Sequence, residues 1–172
     1  MKEENLVGCA KSMVDFMGNK YGYNCLGCEI ANKKITPPGG IVYEDESFVL
    51  AGDPEVPLNG FLIVNTKRHI KSLVEMTQKE RHLFIDLTNK AINVLKELNL
   101  AKEVVLVQEE RSSHFHLWIF PQQDWMIEKF GKGVSHLRNI CSYLVDNATE
   151  EDKKTVLKCD TPLPNFSIIQ SC

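Results

Sequence analysis

The stretch Ser113–Pro121 constrains the fold of this chain more than any other segment, because its side chains alternate with the two-residue period of a β-strand. The apolar face comprises Phe115, Leu117 and Ile119, and the second face comprises His114, His116, Trp118 and Phe120. Two imidazoles about 7 Å apart along one strand are unusual on a buried or half-buried sheet face. We therefore expect the chemistry of the protein on the face that carries His114 and His116.

Length and charge limit the classes of protein to consider. The chain has 172 residues, which is enough for one domain with a hydrophobic core and too few for two comfortable domains. Its formal net charge of −3 gives no overall basic surface for nucleic acid, so we expect no nucleic-acid partner. A phosphate-bearing ligand would have to be bound by local groups.

We also expect a cytoplasmic protein without a membrane segment. No stretch approaches the roughly twenty apolar residues that span a bilayer, and the polar start Met1–Asn5 is unlike a secretory signal. The six cysteines do not imply disulfides, since a chain of this size has a core that needs no covalent staples. Cys25 and Cys28 are better interpreted as a metal-binding or redox pair.

Hydrophobic periodicity and turn signals predict the remaining elements. The predicted helices cover residues 5–18, 78–98, 124–129 and 134–145, with a last one from Glu150, and the predicted strands cover 41–44, 47–51, 60–66 and 103–108. A capping box of Thr77 and Glu80 starts the most regular helix, whose apolar face should pack on the sheet. The apolar run Phe61–Val64 favours a strand buried on both faces. Gly27 is expected to allow a tight turn between the two cysteines.

Several spaced motifs occur in one order along the chain. They are Cys25-x-x-Cys28, Val42–Asp45, Asp53 seven residues before Gly60, Lys67–Leu73, and His114–Leu117 followed by Pro121. Together they resemble the histidine triad (HIT) superfamily, which includes nucleotide hydrolases and galactose-1-phosphate uridylyltransferase. The resemblance covers roughly residues 24–122.

The resemblance and the predicted elements together imply an α+β fold. We expect an antiparallel sheet of about five strands with a packed long helix and a C-terminal helical extension. We accordingly divide the chain into an N-terminal helix (1–23), a HIT-like domain (24–122), and a C-terminal helical extension and tail (123–172) within the same compact unit.

By this resemblance His116 is the nucleophile, which attacks the α-phosphorus of a nucleotide and forms a covalent nucleotidyl-histidine. From the residues alone, the alternative is a structural histidine on a sheet face. Trp118 replaces the family's third histidine, and its indole cannot shuttle a proton near neutral pH. Some branches of the superfamily carry glutamine here, so transfer chemistry stays compatible with this residue. Trp118 either contacts the substrate or only fills the core.

The resemblance also implies a metal site. Zinc-bearing members bind the ion with residues that correspond to Cys25, Cys28, His69 and His114. Two thiolates and two imidazoles complete a tetrahedral set, so the zinc would be structural and would position the strand that holds His116. The cysteine pair alone leaves zinc, redox chemistry and no special role as alternatives.

The substrate-binding residues depend partly on a loop that departs from the family pattern. Asp53 corresponds to the acid that accepts hydrogen bonds from ribose hydroxyls, and a solvated turn aspartate is the alternative. Family members usually bind phosphate with a glycine-rich loop, but this loop contains Glu109 and Glu110 and no glycine. The candidate phosphate ligands within it are Gln108, Arg111 and Ser112.

We therefore predict a nucleotide hydrolase or nucleotidyltransferase that acts through His116 and contains a structural zinc ion. Its ligand would be a nucleotide or dinucleotide, and the resemblance implies a homodimer. One alternative is a catalytically weak nucleotide-binding or regulatory module, which keeps the shape of the site but lacks proton shuttling and the glycine-rich loop. Another alternative is a redox protein with a reversible Cys25–Cys28 disulfide and no metal.

Overall fold

The computed structural model describes residues 11–157, which form an antiparallel sheet with helices on both of its faces. The strands are β1 (Lys11–Val14), β2 (Lys20–Tyr23), β3 (Ile41–Glu44), β4 (Phe48–Gly52), β5 (Leu62–Thr66), β6 (Glu103–Val107) and β7 (His116–Gln122). The helices are α1 (Leu26–Ala31), α2 (Gln78–Glu97), α3 (Asp124–Phe130), α4 (Leu137–Asn147) and α5 (Glu150–Leu157), with short 3-10 helices at Leu73–Glu75 and Val134–His136. Strands β3 to β7 pair in the order β3-β4-β5-β7-β6, and β1 pairs with β2. The predicted α+β class with a five-stranded antiparallel sheet is confirmed.

The sheet separates two hydrophobic clusters. On one face Phe115, Leu117 and Ile119 pack with the apolar face of α2. On the other face Phe120 and the partly buried Trp118 pack with residues of α3 and α4. The predicted division of this stretch into two faces is therefore correct, and the second face lies under the C-terminal helices.

Two details of the predicted elements are confirmed. Strand β5 is buried along its whole length, as its contiguous apolar residues predict. Helix α2 begins with the predicted capping box: Thr77 Oγ1 accepts from the Glu80 N–H at 3.2 Å, and the Glu80 carboxylate accepts from the Thr77 N–H at 2.7 Å. These contacts fix the start of the helix that covers one face of the sheet.

The predicted N-terminal helix is wrong over the described residues, because β1 and β2 form a hairpin there. The turn is organised by the buried side chain of Asp15, whose carboxylate accepts hydrogen bonds from the Met17 N–H, the Asn19 N–H and the Asn19 side chain. Gly18 adopts a φ of +86°, which favours glycine. These local bonds compete with helix formation and outweigh the weak helical spacing of the apolar residues. Residues 5–10 of the predicted helix lie outside the described residues.

Strand β7 begins at His116, two residues later than the alternation predicts. The preceding residue, Phe115, instead donates its N–H to the Ile70 carbonyl at 2.6 Å, which joins this segment to the loop after β5. His114 therefore lies just before the strand, and it is buried with only 3% of its surface exposed. The two histidines thus occupy different structural environments. Within residues 11–157, none of the helices has the length and apolar character that a membrane span requires.

Candidate active site and metal centre

Four side chains that are distant in sequence converge at one end of the sheet. They are Cys25, Cys28, His69 and His114, and their Sγ and Nδ1 atoms all lie within 4.8 Å of one another. His114 Nδ1 lies 3.3 Å from His69 Nδ1 and 3.4 Å from both sulfur atoms, and His69 Nδ1 lies 3.5 Å from the Cys25 sulfur and 3.1 Å from the Cys28 sulfur. This cluster could bind a metal ion.

These separations agree with tetrahedral coordination of a metal ion. Zinc bonds of about 2.3 Å to sulfur and about 2.05 Å to nitrogen imply S···N separations of about 3.6 Å and an N···N separation of about 3.3 Å. The observed S···N distances of 3.1–3.5 Å lie 0.1–0.5 Å below the expected S···N separation, and the N···N distance of 3.3 Å equals the expected N···N separation. Burial and then a hydrogen bond with Cys25 raise the pKa of the Cys28 thiol to about 11, so a cation would be needed to favour the thiolate at neutral pH.

The orientation of His114 is fixed from its other ring nitrogen. Nε2 lies 2.8 Å from the Thr66 carbonyl oxygen and 3.2 Å from the Thr66 hydroxyl. Because a carbonyl only accepts, this contact assigns the proton to Nε2 and leaves the Nδ1 lone pair directed at the cluster. Burial lowers the pKa of the His114 imidazole, which favours the neutral ring that a metal requires.

Gly27 contributes space to this centre and makes no special turn, so the predicted reason for its presence is wrong. It lies inside α1 and is absent from the residues with positive φ. A Cβ atom at this position would lie 2.5 Å from both Cγ and Cδ2 of the His114 ring. A side chain at residue 27 would therefore collide with a candidate metal ligand.

His116 lies beside the cluster and is held through its Nδ1 atom. Nδ1 is 3.1 Å from the His114 carbonyl oxygen and 3.2 Å from the Ser112 hydroxyl. Donation to the carbonyl requires the proton on Nδ1, which leaves Nε2 as the unprotonated ring nitrogen. His116 also lines a cavity of about 240 Å³. A ligand in this cavity would therefore contact the side chain that carries the unprotonated Nε2.

Comparison with known proteins identifies the family. Residues 24–129 match the family model described as the scavenger mRNA decapping enzyme C-terminal binding family, and this match covers more than half of the chain. An uncharacterized HIT-like protein from Methanocaldococcus jannaschii is 31% identical over 115 residues, which cover 63% of this chain and 88% of the relative. The chain belongs to the histidine triad (HIT) superfamily. Membership indicates a nucleotide-binding or hydrolase-type activity.

Solved HIT structures share the fold of this HIT protein. A HIT family protein from Bacillus subtilis has a TM-score of 0.54 at 20% identity, covering 74% of this chain and 99% of the other. A zinc-bound histidine triad family protein from Mycobacterium smegmatis has a TM-score of 0.56 at 17% identity, covering 83% and 95%. At these identities the likeness supports the fold assignment.

The cavity brings together several of the predicted site residues of this HIT protein. Asp53, Ser112 and Trp118 line it together with His116. Gln108 and Arg111 are not among its lining residues, so their assignment as phosphate ligands stays a prediction. The Gln108 side-chain nitrogen is buried and has no hydrogen-bond partner among residues 11–157.

Asp53 is tied to its own loop by one carboxylate oxygen. Oδ1 accepts hydrogen bonds of 2.8 Å from the N–H groups of Glu55 and Val56, as in an Asx turn. Burial raises the pKa of this carboxyl to about 6, although the two backbone donors act in the opposite direction. Both hydrogen bonds that the described backbone donates to this carboxylate go to Oδ1.

Trp118 takes part in both the core and the cavity, so both predicted roles have a structural basis. Its indole packs edge-to-face against Phe61 with the ring centroids 5.2 Å apart, and it also lines the cavity beside His116. The indole N–H is a donor only and does not titrate near neutral pH. Strand β7 therefore presents one imidazole and one indole to the cavity.

The acids of the loop before His114 are engaged by other protein groups. Glu110 Oε1 accepts a hydrogen bond of 2.5 Å from the Ser72 hydroxyl. Glu109 Oε2 lies 2.7 Å from Arg111 Nε and 3.6 Å from Arg138 Nη2. Arg111 is therefore paired with an acid of its own loop in this structure.

Sequence reasoning missed the wall that the N-terminal hairpin contributes to the cavity. Lys11 and Tyr23, which face each other in the β1–β2 ladder, line the cavity with Asn65 of β5. They could not be found while this segment was interpreted as a helix. The apparent helical spacing hid the sequence signal for a turn, which is Asp15 followed by Gly18 and Asn19.

A second cavity lies among the C-terminal helices. It has a volume of about 400 Å³ and is lined in part by Trp125, Tyr143 and Leu144. It is larger than the cavity beside His116, but it contains neither that histidine nor any of the candidate metal ligands. We therefore assign the candidate active site to the smaller cavity on chemical grounds.

Proposed function

We propose that this HIT protein is a nucleotide hydrolase or nucleotidyltransferase that forms a covalent nucleotidyl intermediate on His116. The supporting observation is the hydrogen bond from His116 Nδ1 to the His114 carbonyl at 3.1 Å. This bond fixes the tautomer and orients the ring, so the Nε2 lone pair can attack the α-phosphorus of a nucleotide in the cavity.

In the proposed first step the Nε2 lone pair forms a bond to phosphorus as the bond to the leaving group breaks. The Nδ1 proton stays on the ring, where the His114 carbonyl stabilises the positive charge that develops on the imidazole. In the second step, water or another acceptor attacks phosphorus, and the electron pair of the P–N bond returns to Nε2. The proton of the acceptor passes to solvent, because Trp118 cannot accept it.

Asp53 is the proposed ribose ligand. One of its carboxylate oxygens holds the loop, and the other can accept hydrogen bonds from sugar hydroxyls in the same cavity as His116. Ser112 is a proposed contact for the α-phosphate, because its hydroxyl lies 3.2 Å from the His116 ring. Trp118 supplies an apolar surface beside them.

We propose that Cys25, Cys28, His69 and His114 bind a structural zinc ion. The separations among their ligand atoms and the assigned lone pair on His114 Nδ1 fit this ion, and a solved protein of the same fold is described as zinc-bound. Four protein ligands leave no open position, so zinc would supply rigidity and no Lewis-acid step. The ion would hold the residue whose carbonyl orients the nucleophile.

The proposal extends to the organisation of the chain. We propose that residues 24–122 form the HIT-like domain and that the extension from residue 123 belongs to the same compact unit, since α3 and α4 pack on the sheet. A homodimer and a cytoplasmic location complete the proposal, and light scattering of the purified chain tests the first of these.

The covalent step is tested by trapping. The protein is incubated with a dinucleoside polyphosphate labelled at the α-phosphorus and then examined for acid-labile label and for turnover. His116→Asn should abolish both while it retains wild-type zinc content, and Thr88→Val, a change in α2 away from the cavity, serves as the control. Label that persists in His116→Asn would contradict the assignment of the nucleophile.

A non-catalytic nucleotide-binding module is the second candidate, and the indole of Trp118 favours it because no titrating group replaces the third histidine. It predicts nucleotide binding without label or turnover in the same experiment. The redox alternative predicts a metal-free protein with a reversible Cys25–Cys28 disulfide. Elemental analysis that gives one zinc ion per chain would exclude it.

A further inference from the structure

Strand β5 contributes one polar side chain to the wall of the candidate active site. Asn65 lines the cavity together with Ile63 of the same strand, and only 6% of Asn65 is exposed. Asparagine is disfavoured in strands, and a buried amide normally has hydrogen-bond partners. Among residues 11–157, however, the Asn65 amide has no hydrogen-bond partner. A buried, unpaired amide that lines a cavity is suited to bind a ligand there.

Strand pairing places this amide next to the proposed nucleophile. In the antiparallel pair of β5 and β7, Asn65 lies directly opposite His116, and Ile63 lies opposite Trp118. Side chains of opposite residues share one face of the sheet, and their Cβ atoms are about 4.5–5.5 Å apart. Asn65 and His116 can therefore contact the same group of a ligand in the cavity.

Asn65 also lies away from the groups that hold His116 Nδ1. Strands β5 and β6 pair with opposite edges of β7, and Ser112, whose hydroxyl lies 3.2 Å from Nδ1, belongs to the connection that follows β6. The other Nδ1 partner is the carbonyl of His114, on the segment that leads into β7. The two nitrogens of an imidazole point in different directions, so Nε2 is directed away from Ser112. The β5 edge, with Asn65, is therefore the edge that faces a phosphate bonded at Nε2.

The proposed reaction requires hydrogen-bond donors at such a position. The non-bridging oxygens carry negative charge in the transition state of phosphoryl transfer, and fixed donors aimed at them lower its energy. The loop before His114 has no glycine, and Arg111 of that loop is paired with Glu109. The Asn65 amide offers two N–H donors and has no charge of its own to repel a phosphate.

We propose that Asn65 is a further catalytic residue, whose Nδ2 donates a hydrogen bond to a non-bridging oxygen of the α-phosphate. This inference rests on the proposed function and adds to it a residue that stabilises the transition state. As His116 Nε2 forms its bond to phosphorus, the bond to the leaving group breaks and its electron pair departs with that group. The Asn65 amide keeps both of its protons throughout, so it contributes only charge stabilisation.

The inference is tested with p-nitrophenyl esters of nucleoside 5′-phosphates, of which the adenosine, guanosine, cytidine and uridine forms are compared first. Asn65→Leu keeps the approximate shape of the side chain and removes its donors, so kcat/KM for the fastest ester should fall about 100-fold. Asn65→Asp removes the donors and adds a negative charge, so its loss at neutral pH should be at least as large. The free energy of unfolding of Asn65→Leu should not fall, because leucine leaves no unpaired polar group.

Alpha-thio esters test the contact itself. Sulfur replaces one non-bridging oxygen in each of the two separated diastereomers, and sulfur is a weak hydrogen-bond acceptor. Asn65→Leu should lower kcat/KM about 100-fold for one diastereomer and less than about tenfold for the one whose sulfur faces the amide. Thr88→Val is the matched control, because Thr88 is buried to a similar extent, with 7% exposed, on α2. This control should leave the rates with both diastereomers unchanged.

The possible outcomes separate this inference from the proposed function. An unchanged rate in Asn65→Leu, or equal losses on both diastereomers, would overturn the role of Asn65 and leave His116 as the proposed nucleophile. Equal losses together with a lower free energy of unfolding would assign Asn65 a structural role instead. A wild-type protein that hydrolyses none of the esters would overturn the proposed function and the inference with it.

Discussion

Replacement of Gly27 by alanine should disrupt the candidate metal centre, although the same change stabilises most helices. A Cβ atom at residue 27 would lie 2.5 Å from Cγ and Cδ2 of His114, whereas carbon atoms in ordinary contact are about 3.5–4.0 Å apart. The ring must therefore move by about 1 Å. It cannot do so freely, because Nε2 is bonded to the Thr66 carbonyl at 2.8 Å and Nδ1 faces the other candidate ligands.

The magnitude follows from two opposing terms. Alanine gains about 0.5–1 kcal/mol over glycine in a helix, and the loss of a buried hydrogen bond costs about 1–3 kcal/mol. The free energy of unfolding of the Gly27→Ala protein should therefore lie about 0–2.5 kcal/mol below that of the wild type. Displacement of a metal ligand should also lower zinc affinity about 10- to 100-fold.

Zinc retained against a competing chelator and urea unfolding monitored by circular dichroism measure both effects. Gly52→Ala is the matched control, because a Cβ atom there would have no heavy atom nearer than 3.8 Å. A Gly27→Ala protein that keeps wild-type zinc affinity and gains stability would refute the reasoning, since the ring would then have space that the structure denies it.

Three further predictions concern the surroundings of the site. Nucleotide affinity should fall as the pH drops through about 6, because burial raises the pKa of Asp53 to about 6 and protonation removes a hydrogen-bond acceptor. In calorimetric titrations, Asp53→Asn should remove this pH dependence of the affinity. Glu80→Gln should lower the free energy of unfolding by about 1–2 kcal/mol near neutral pH, because the hydrogen bond to Arg68 holds the pKa of Glu80 at about 2. That difference should shrink in urea unfolding as the pH falls from about 4.5 towards 2, where the folded carboxylate becomes protonated. Asp15→Ala should destabilise the β1–β2 hairpin by about 2–3 kcal/mol, which limited proteolysis would detect. It should also weaken nucleotide binding, because the hairpin lines the cavity, and a binding titration would measure that loss.

The fold could be predicted in large part because its signals are local. The two-residue alternation of β7, the contiguous apolar residues of β5 and the capping box of α2 each depend on neighbours in sequence. The hairpin could not be predicted, because the turn depends on several hydrogen bonds to one buried carboxylate, that of Asp15. A weak apolar period carried no information about those bonds.

The candidate site was accessible to sequence reasoning only through the family resemblance. Its four candidate metal ligands extend from Cys25 to His114, and no spacing rule connects residues so far apart. The reason for a glycine at position 27 could not be predicted from the sequence either. The atoms that exclude a side chain there belong to His114, which is distant in sequence. The pairing of Arg138 with Glu109 likewise required the packing of α4 against the sheet.

The position of β7 between β5 and β6 has a consequence for local unfolding. Strand β7 is paired along both of its edges, so the amide protons of Leu117 and Ile119 should exchange with solvent only when the sheet opens. His69 is exposed and lies outside the strands, so the metal cluster can open at a lower free energy. The proposed nucleophile thus belongs to a slowly exchanging strand, while the candidate metal ligand His69 belongs to a faster segment. Opening of the candidate metal cluster should therefore leave His116 on an intact strand.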